Sequence, residues 1–124
     1  MQWLAVALGG ALGAMSRYAI TLYTVPLVSH RFPVATFCIN VLGSFLIGVA
    51  FVTIVEKGML SDQWRLIIMA GFLGAFTTFS TFALEALTLL QQGLVAMAAT
   101  YMLASVTGCL LAVWAGYSLT LRFV

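Results

Sequence analysis

Charge is what this sequence has least of. Only eight of its 124 residues are charged, five Lys/Arg and three Asp/Glu, or 6%. A soluble domain covers its surface with about 25% charged residues, so a water-soluble globular enzyme is disfavoured. Low charge density and the lack of a basic patch also count against intrinsic disorder and nucleic-acid binding. Cysteine is nearly as scarce. Cys38 and Cys109 each sit inside an apolar stretch, where they read as small core residues and not as a disulfide framework or zinc site. The single histidine, His30, lies in a loop with no cysteine or carboxylate cluster near it. No phosphate loop, metal motif or nucleophile elbow is present.

What the chain has in abundance is apolar surface: 64% hydrophobic residues and a mean hydropathy of +1.16. That is the composition of a small integral membrane protein. A helix needs about 20 apolar residues to cross a bilayer, so this length allows at most four crossings with short loops. Four helices enclose little volume, and a transport function would therefore favour an oligomer.

The expected spans are residues 3–22, 33–55, 63–92 and 94–121, a single four-helix transmembrane domain over 1–124. Ala11 to Ala14 resembles a signal-peptide cleavage site, but no basic residue precedes it and three more spans follow, so a retained helix is expected. Pro26 and Ser29-His30-Arg31-Phe32 make the first loop, and Pro33 suits the first turn of the second helix. Glu56, Lys57 and Gly58 break the chain, Ser61 or Asp62 is placed to cap the third helix, and Gly93 to stop it.

Basic residues hardly favour either side. Lys57, Arg65 and Arg122 lie on one side of this topology and Arg17 and Arg31 on the other. Three against two fixes no orientation under the positive-inside rule. Either the count is uninformative in so small a protein, or chains insert both ways and pair antiparallel. Small residues at four-residue spacing allow close helix approach: Gly9 and Gly13, with Arg17 one turn further, and Ala104, Gly108, Ala112 and Gly116 on the last helix.

Polar residues at membrane depth are costly unless paired or facing water. Thr36, Asn40 and Ser44 share one face of the second helix, which serves either interhelical hydrogen bonding or an ion path; the Asn40 amide needs several partners. The third helix carries Gly71-Phe72-Leu73-Gly74-Ala75-Phe76-Thr77-Thr78-Phe79-Ser80-Thr81-Phe82. Two glycines ahead of four hydroxyl residues weaken a helix, and a local break would free backbone carbonyls suited to a small cation such as sodium. Phe79 and Phe82, three apart, pack ordinarily or else turn positive ring edges towards an anion. Thr81, Glu85 and Thr88 continue a stripe below them, and Tyr101 with Ser105 forms another on the fourth helix. Glu85 is a default functional candidate, although a carboxylate is an awkward ligand on an anion path.

Together these motifs resemble the Fluc/CrcB fluoride channels. The similarity runs through Gly9-Gly10-x-x-Gly13-x-x-x-Arg17-Tyr18, then Thr36-x-x-x-Asn40-x-x-Gly43-Ser44-Phe45-x-x-Gly48, then the Thr77-Thr78-Phe79-Ser80-Thr81-Phe82 block. It covers the whole chain. The resemblance implies an all-α integral membrane protein of four transmembrane helices with a break in the third, assembled as a dual-topology antiparallel homodimer in the lipid of a prokaryotic inner membrane. It implies two pores that export fluoride passively. Asn40 would contribute to fluoride coordination, and Phe79 and Phe82 would be ring-edge ligands, one from each subunit in a given pore. Ser80, Thr81, Tyr101 and Ser105 would form the polar track beside the rings. Gly74 and Thr77 would offer carbonyls to a central structural sodium, and Arg17 would be a vestibule or interface arginine. The chain departs from the family pattern at Ala35 and Ala75, where glycine is common, and at Cys109, where a hydroxyl often continues the track.

The physics is consistent with this implication. Fluoride is small and strongly hydrated, so a narrow pore must replace its water with many weak donors, enough to bind without trapping. A negative interior drives an anion outward by about 2.3 kcal/mol per 100 mV. The rival class is the small four-helix multidrug-type antiporter, whose members carry a glutamate on the first helix. Here that helix holds Arg17 and no acid.

Overall fold

A computed structural model describes residues 1–24 and 31–124. The expected turn at Pro26 and the Ser29-His30 part of the first loop lie outside the described residues. All regular structure among the described residues is helical. Among the described residues, four helical spans are long and apolar enough to cross a membrane: Gln2–Thr24 (α1), Val34–Glu56 (α2), Asp62–Gln91 and Val95–Phe123. The third is interrupted, so its halves are called α3 (residues 62–76) and α4 (Phe79–Gln91), and Val95–Phe123 is α5.

Helix ends follow local chemistry, with one difference from expectation. Pro33 stands just ahead of Val34, the first residue of α2, and its carbonyl accepts from Phe37 N–H at 3.1 Å. Gly93 adopts φ +75°, a conformation open mainly to glycine. There Leu94 N–H reaches back to the Leu89 carbonyl at 2.9 Å and closes α4 in a Schellman-like turn. Ser61 does occupy the cap position before Asp62, yet its hydroxyl makes no capping bond. Its backbone carbonyl accepts from Trp64 N–H instead, at 2.9 Å.

Two backbone seams organise the bundle. A Cβ on Gly9 would run into the Ile67 carbonyl of α3, and one on Gly13 into the Phe72 carbonyl. From the other side, a Cβ on Gly71 would lie 2.8 Å from the Val6 carbonyl and 3.0 Å from Gly9 Cα. Lipid tails are as apolar as side chains, so dispersion at such close approach replaces the hydrophobic drive. The second seam joins α2 to α5, where Gly48 faces the backbone of Val113–Tyr117 and Gly116 faces Phe45. Of the expected small-residue ladder on α5, Gly116 makes this backbone contact, while Gly108 meets only side chains of Val41 and Phe37 at 3.4 Å and beyond.

Winding loosens beside these seams. Phe51–Glu56 at the end of α2 and Arg65–Leu73 in α3 are wound as π-helix, with bonds such as Lys57 N–H to the Val52 carbonyl at 2.9 Å. Such wide turns shift the register of the side chains beyond them and are enriched at functional sites. Apolar side chains gather in two clusters. One joins Phe82, Ala86, Leu89, Ala98 and Tyr101; the other joins Ala50, Ile54 and Leu73. Between the two lies the interruption of the third span.

Candidate functional site

α3 ends at Phe76. Thr77 (φ −76°, ψ 157°) and Thr78 (φ −151°, ψ 116°) are extended, and α4 begins at Phe79. Each side of this break is tied off. Upstream, both the N–H and the hydroxyl of Thr77 donate to the Leu73 carbonyl, at 3.1 and 2.9 Å. Downstream, the Thr78 hydroxyl caps α4 by accepting from Thr81 N–H at 3.3 Å, and it donates to Thr81 Oγ1 at 3.0 Å. A capping hydroxyl stabilises a helix start by about 1 kcal/mol.

Asn40 of α2 holds the extended segment from the side. Its Nδ2 donates to the Thr78 carbonyl at 3.0 Å, and its Oδ1 accepts from Thr78 N–H at 2.8 Å. This side-chain amide therefore does what a neighbouring β-strand would do, satisfying both backbone groups of one residue. The steric room comes from Gly43: a Cβ there would collide with the Thr77 methyl and approach Phe76 to 3.3 Å.

The break leaves carbonyls without their helical donors. Gly74 O would normally accept from Thr78 N–H, which Asn40 has taken. Thr77 O would normally accept from Thr81 N–H, which the Thr78 hydroxyl has taken. Gly74 is exposed on the surface of the isolated chain, as are Phe79 and Ser80. A cavity of about 320 Å³ opens here, lined among others by Asn40, Ser44, Gly74, Thr77, Phe79 and Cys109. Cys109 thus borders the same space as Asn40.

The two rings are neighbours in different settings. Their centroids are 5.4 Å apart at 45°. Phe82 is buried, 8% exposed, and packs at 5.1 Å on Tyr101, whereas Phe79 is 77% exposed.

One helical level away, three stripes that look separate in the sequence converge. Thr36 Oγ1 donates to Glu85 Oε1 at 2.9 Å, and the Tyr101 hydroxyl donates to Glu85 Oε2 at 2.7 Å. Thr36 and Tyr101 are buried. These two bonds tie α2, α4 and α5 together through the Glu85 carboxyl group. Ser105, one turn beyond Tyr101, is 5% exposed, and its hydroxyl has no hydrogen-bond partner among the described residues. Ser80 Oγ lies 3.4 Å from the Thr78 hydroxyl. Arg17 is half-buried and borders a second cavity of about 320 Å³, together with Thr36, Thr78, Thr81 and Glu85.

The structure thus draws Asn40, Thr77, Phe79, Ser80, Thr81 and Phe82 to the break and sets Tyr101 and Ser105 along α5 beside it. Two participants have larger roles than the sequence pattern suggests. Thr78 was read only as one of four hydroxyls, although it caps α4 and receives Asn40. Glu85 was set aside as a ligand without its two donors being seen.

These features define a class: a multi-pass membrane protein whose third span is broken at depth and whose polar groups converge on that break. Residues 4–117 match the model of the family described as CrcB-like protein, Camphor Resistance (CrcB). The chain belongs to this family. It is 54% identical over 122 residues to a "Fluoride-specific ion channel FluC" of Saccharophagus degradans, covering 98% of this chain and 91% of that relative. A protein of the same name from Hahella chejuensis is 52% identical over 115 residues, covering 93% and 91%. A third, from Acidobacterium capsulatum, is 46% identical over 124 residues, covering 100% and 99%. The relatives carry the name of an ion channel, not of an enzyme.

Proposed function

We infer that this chain is a fluoride-selective channel that exports fluoride passively through two pores of an antiparallel homodimer. One observation carries the reading: a helix break with free carbonyls and an exposed aromatic ring at membrane depth. Unsatisfied backbone in lipid costs several kcal/mol per group, and irregular backbone is tolerated only where protein or a watery cavity covers it. A second copy of the chain supplies that cover. The near-even split of basic residues, three against two, is consistent with insertion in both orientations in a prokaryotic inner membrane.

The ring settings favour one phenylalanine from each subunit per pore. Phe82 is enclosed by its own chain, while Phe79 projects outward, free to enter the partner's pore. Ring edges carry partial positive charge and stand in for part of fluoride's water shell. Further donors are the Ser105 hydroxyl, which has no partner among the described residues, the hydroxyls of Ser80 and Thr81, and the Asn40 amide hydrogen not given to Thr78. The first N–H groups of α4 add the positive end of a helix dipole. Tyr101 continues the track, held by Glu85. A carboxyl group whose two oxygens already accept hydroxyl protons holds Thr36 and Tyr101 in place; it does not bind the anion.

The donor set at the break also fits a structural sodium ion. Sodium takes unwound backbone carbonyls in other broken membrane helices, and Gly74 and Thr77 both have carbonyls deprived of helical donors. Contributed by each of two copies, they would hold the ion on the dimer axis, where its charge would neutralise converging carbonyl dipoles.

The test is ion efflux from liposomes containing the purified protein alone. Rapid release of fluoride with chloride retained is expected. Equal release of both, or none from intact dimers, overturns the reading. Topology reporters fused to the C-terminus should report both sides of the membrane; a one-sided result removes antiparallel pairing. The antiporter alternative predicts instead exchange of organic cations for protons.

A further inference from the structure

A third cavity, of about 410 Å³, opens at the end of the bundle where α2 begins. Arg31, Glu85, Thr21, Thr24 and Gln92 are among the residues that line it. It meets the cavity bordered by Arg17 at two shared residues, Thr21 and Glu85. The two are therefore adjacent, and their lining residues lead from the helix ends at Arg31 past Glu85 to Thr78 at the break.

The charges along these two cavities are ordered. Arg31 stands three residues before the first residue of α2 and is exposed. The first turn of α2, through Val34 and Ala35, lines the same cavity, so the positive end of the helix dipole reinforces the guanidinium. Glu85 comes next, and Arg17 lies inside it. An anion entering here meets the carboxylate before it reaches the donors at the break. Glu85 cannot be traded for a neutral group without loosening Thr36 and Tyr101. The repulsion is offset instead by cations on either side.

Resting on the channel reading above, we propose that Arg31 is an entry-steering residue, which raises the local concentration of fluoride at the mouth and offsets Glu85. It touches no part of the narrow path and so governs entry rate, not selectivity. Charge-lined clefts speed the arrival of an oppositely charged ligand, and this effect falls steeply with ionic strength. Screening acts over about 30 Å at 0.01 M and about 3 Å at 1 M.

The experiment measures fluoride flux through reconstituted full-length protein at low millimolar fluoride, where entry limits the rate. Ionic strength is raised from about 0.01 M to about 1 M with potassium gluconate. Arg31→Gln should lower flux about threefold at the low end and match the wild type at the high end. Arg31→Glu should lower it further, and Arg31→Lys should restore it, with fluoride-over-chloride selectivity the same in all. Arg31→Gln flux equal to wild type at low ionic strength overturns the proposal. So does a deficit that persists at 1 M, which marks a structural role, or a deficit that Lys does not rescue. Wild-type liposomes without selective fluoride flux would instead overturn the channel reading itself, and Arg31 steering with it.

Discussion

The two halves of the third span are held in opposite ways. α3 is fixed by backbone against backbone: Gly71 lies against Gly9 and Val6, and Phe72 lies against Gly13. From Leu66 to Phe76 it has no polar side chain, and much of it is wound as π-helix. α4 is fixed by polar side chains, through Asn40 to Thr78, Thr36 to Glu85 and Tyr101 to Glu85, and by the ring cluster around Phe82 and Tyr101. A backbone seam leaves no room to adjust. Hydroxyl and amide side chains can turn about their own bonds without moving the backbone, which suits groups beside an ion path. The break at Thr77–Thr78 is the boundary between a platform and a working surface.

The contrast can be broken from the α3 side with the largest effect. Gly13→Leu drives a side chain into the Phe72 carbonyl, which cannot yield without moving α3. Overpacking of this kind costs about 3 kcal/mol. The expected outcome is loss of monodisperse protein on size exclusion, with no folded fraction left to assay.

Next comes the boundary itself. Asn40→Ala leaves the Thr78 N–H and carbonyl unpaired at membrane depth, at a cost of about 2–4 kcal/mol. Flux should fall at least about tenfold, with a clear drop in thermal stability. Asn40→Asp keeps the acceptor for Thr78 N–H and loses the donor, so its melting temperature should fall between those of Ala and the wild type. Equal stability for all three would show that the amide does not hold the break.

The rings separate stability from conduction on the α4 side. Phe82→Ile removes a buried ring packed on Tyr101 and should cost about 1–2 kcal/mol of stability as well as flux. Phe79 is exposed in its own chain, so Phe79→Ile should change the stability of the fold by no more than about 0.5 kcal/mol.

The smallest effect belongs to a glycine beside the seam but outside it. A Cβ on Gly10 would come no closer than 4.0 Å to the Gly71 carbonyl. Gly10→Ala should leave flux unchanged and raise stability by up to about 1 kcal/mol through helix propensity. Gly9→Ala, one residue away, should destabilise. Similar outcomes for the two would mean that the α1–α3 contact is not a seam.

Much of this architecture is legible in the sequence, because membranes impose simple arithmetic. Run length sets four spans, and the glycine- and threonine-rich block from Gly71 to Thr81 marks where a helix weakens. Gly93 and Pro33 act close to their own positions, where local chemistry suffices. What escapes sequence reasoning is convergence. Asn40 finds its partner in the backbone of Thr78, which no side-chain pattern reveals. Glu85 finds Thr36 and Tyr101 on two other helices, and their meeting depends on how three helices pack, which no single stripe encodes. Ser61 failed to cap for the converse reason: at an exposed helix start its hydroxyl can bond to water instead of the backbone.

The central claim is that an aromatic ring carried outward from a broken helix completes a fluoride path in a second copy of the chain. Fluoride efflux from liposomes loaded with wild-type dimers or with Phe79→Ile dimers tests it directly. The predicted result is rapid, chloride-excluding efflux from the wild type and almost none from the variant, with dimers of equal size and stability. A Phe79→Ile dimer that releases fluoride at the wild-type rate would contradict it.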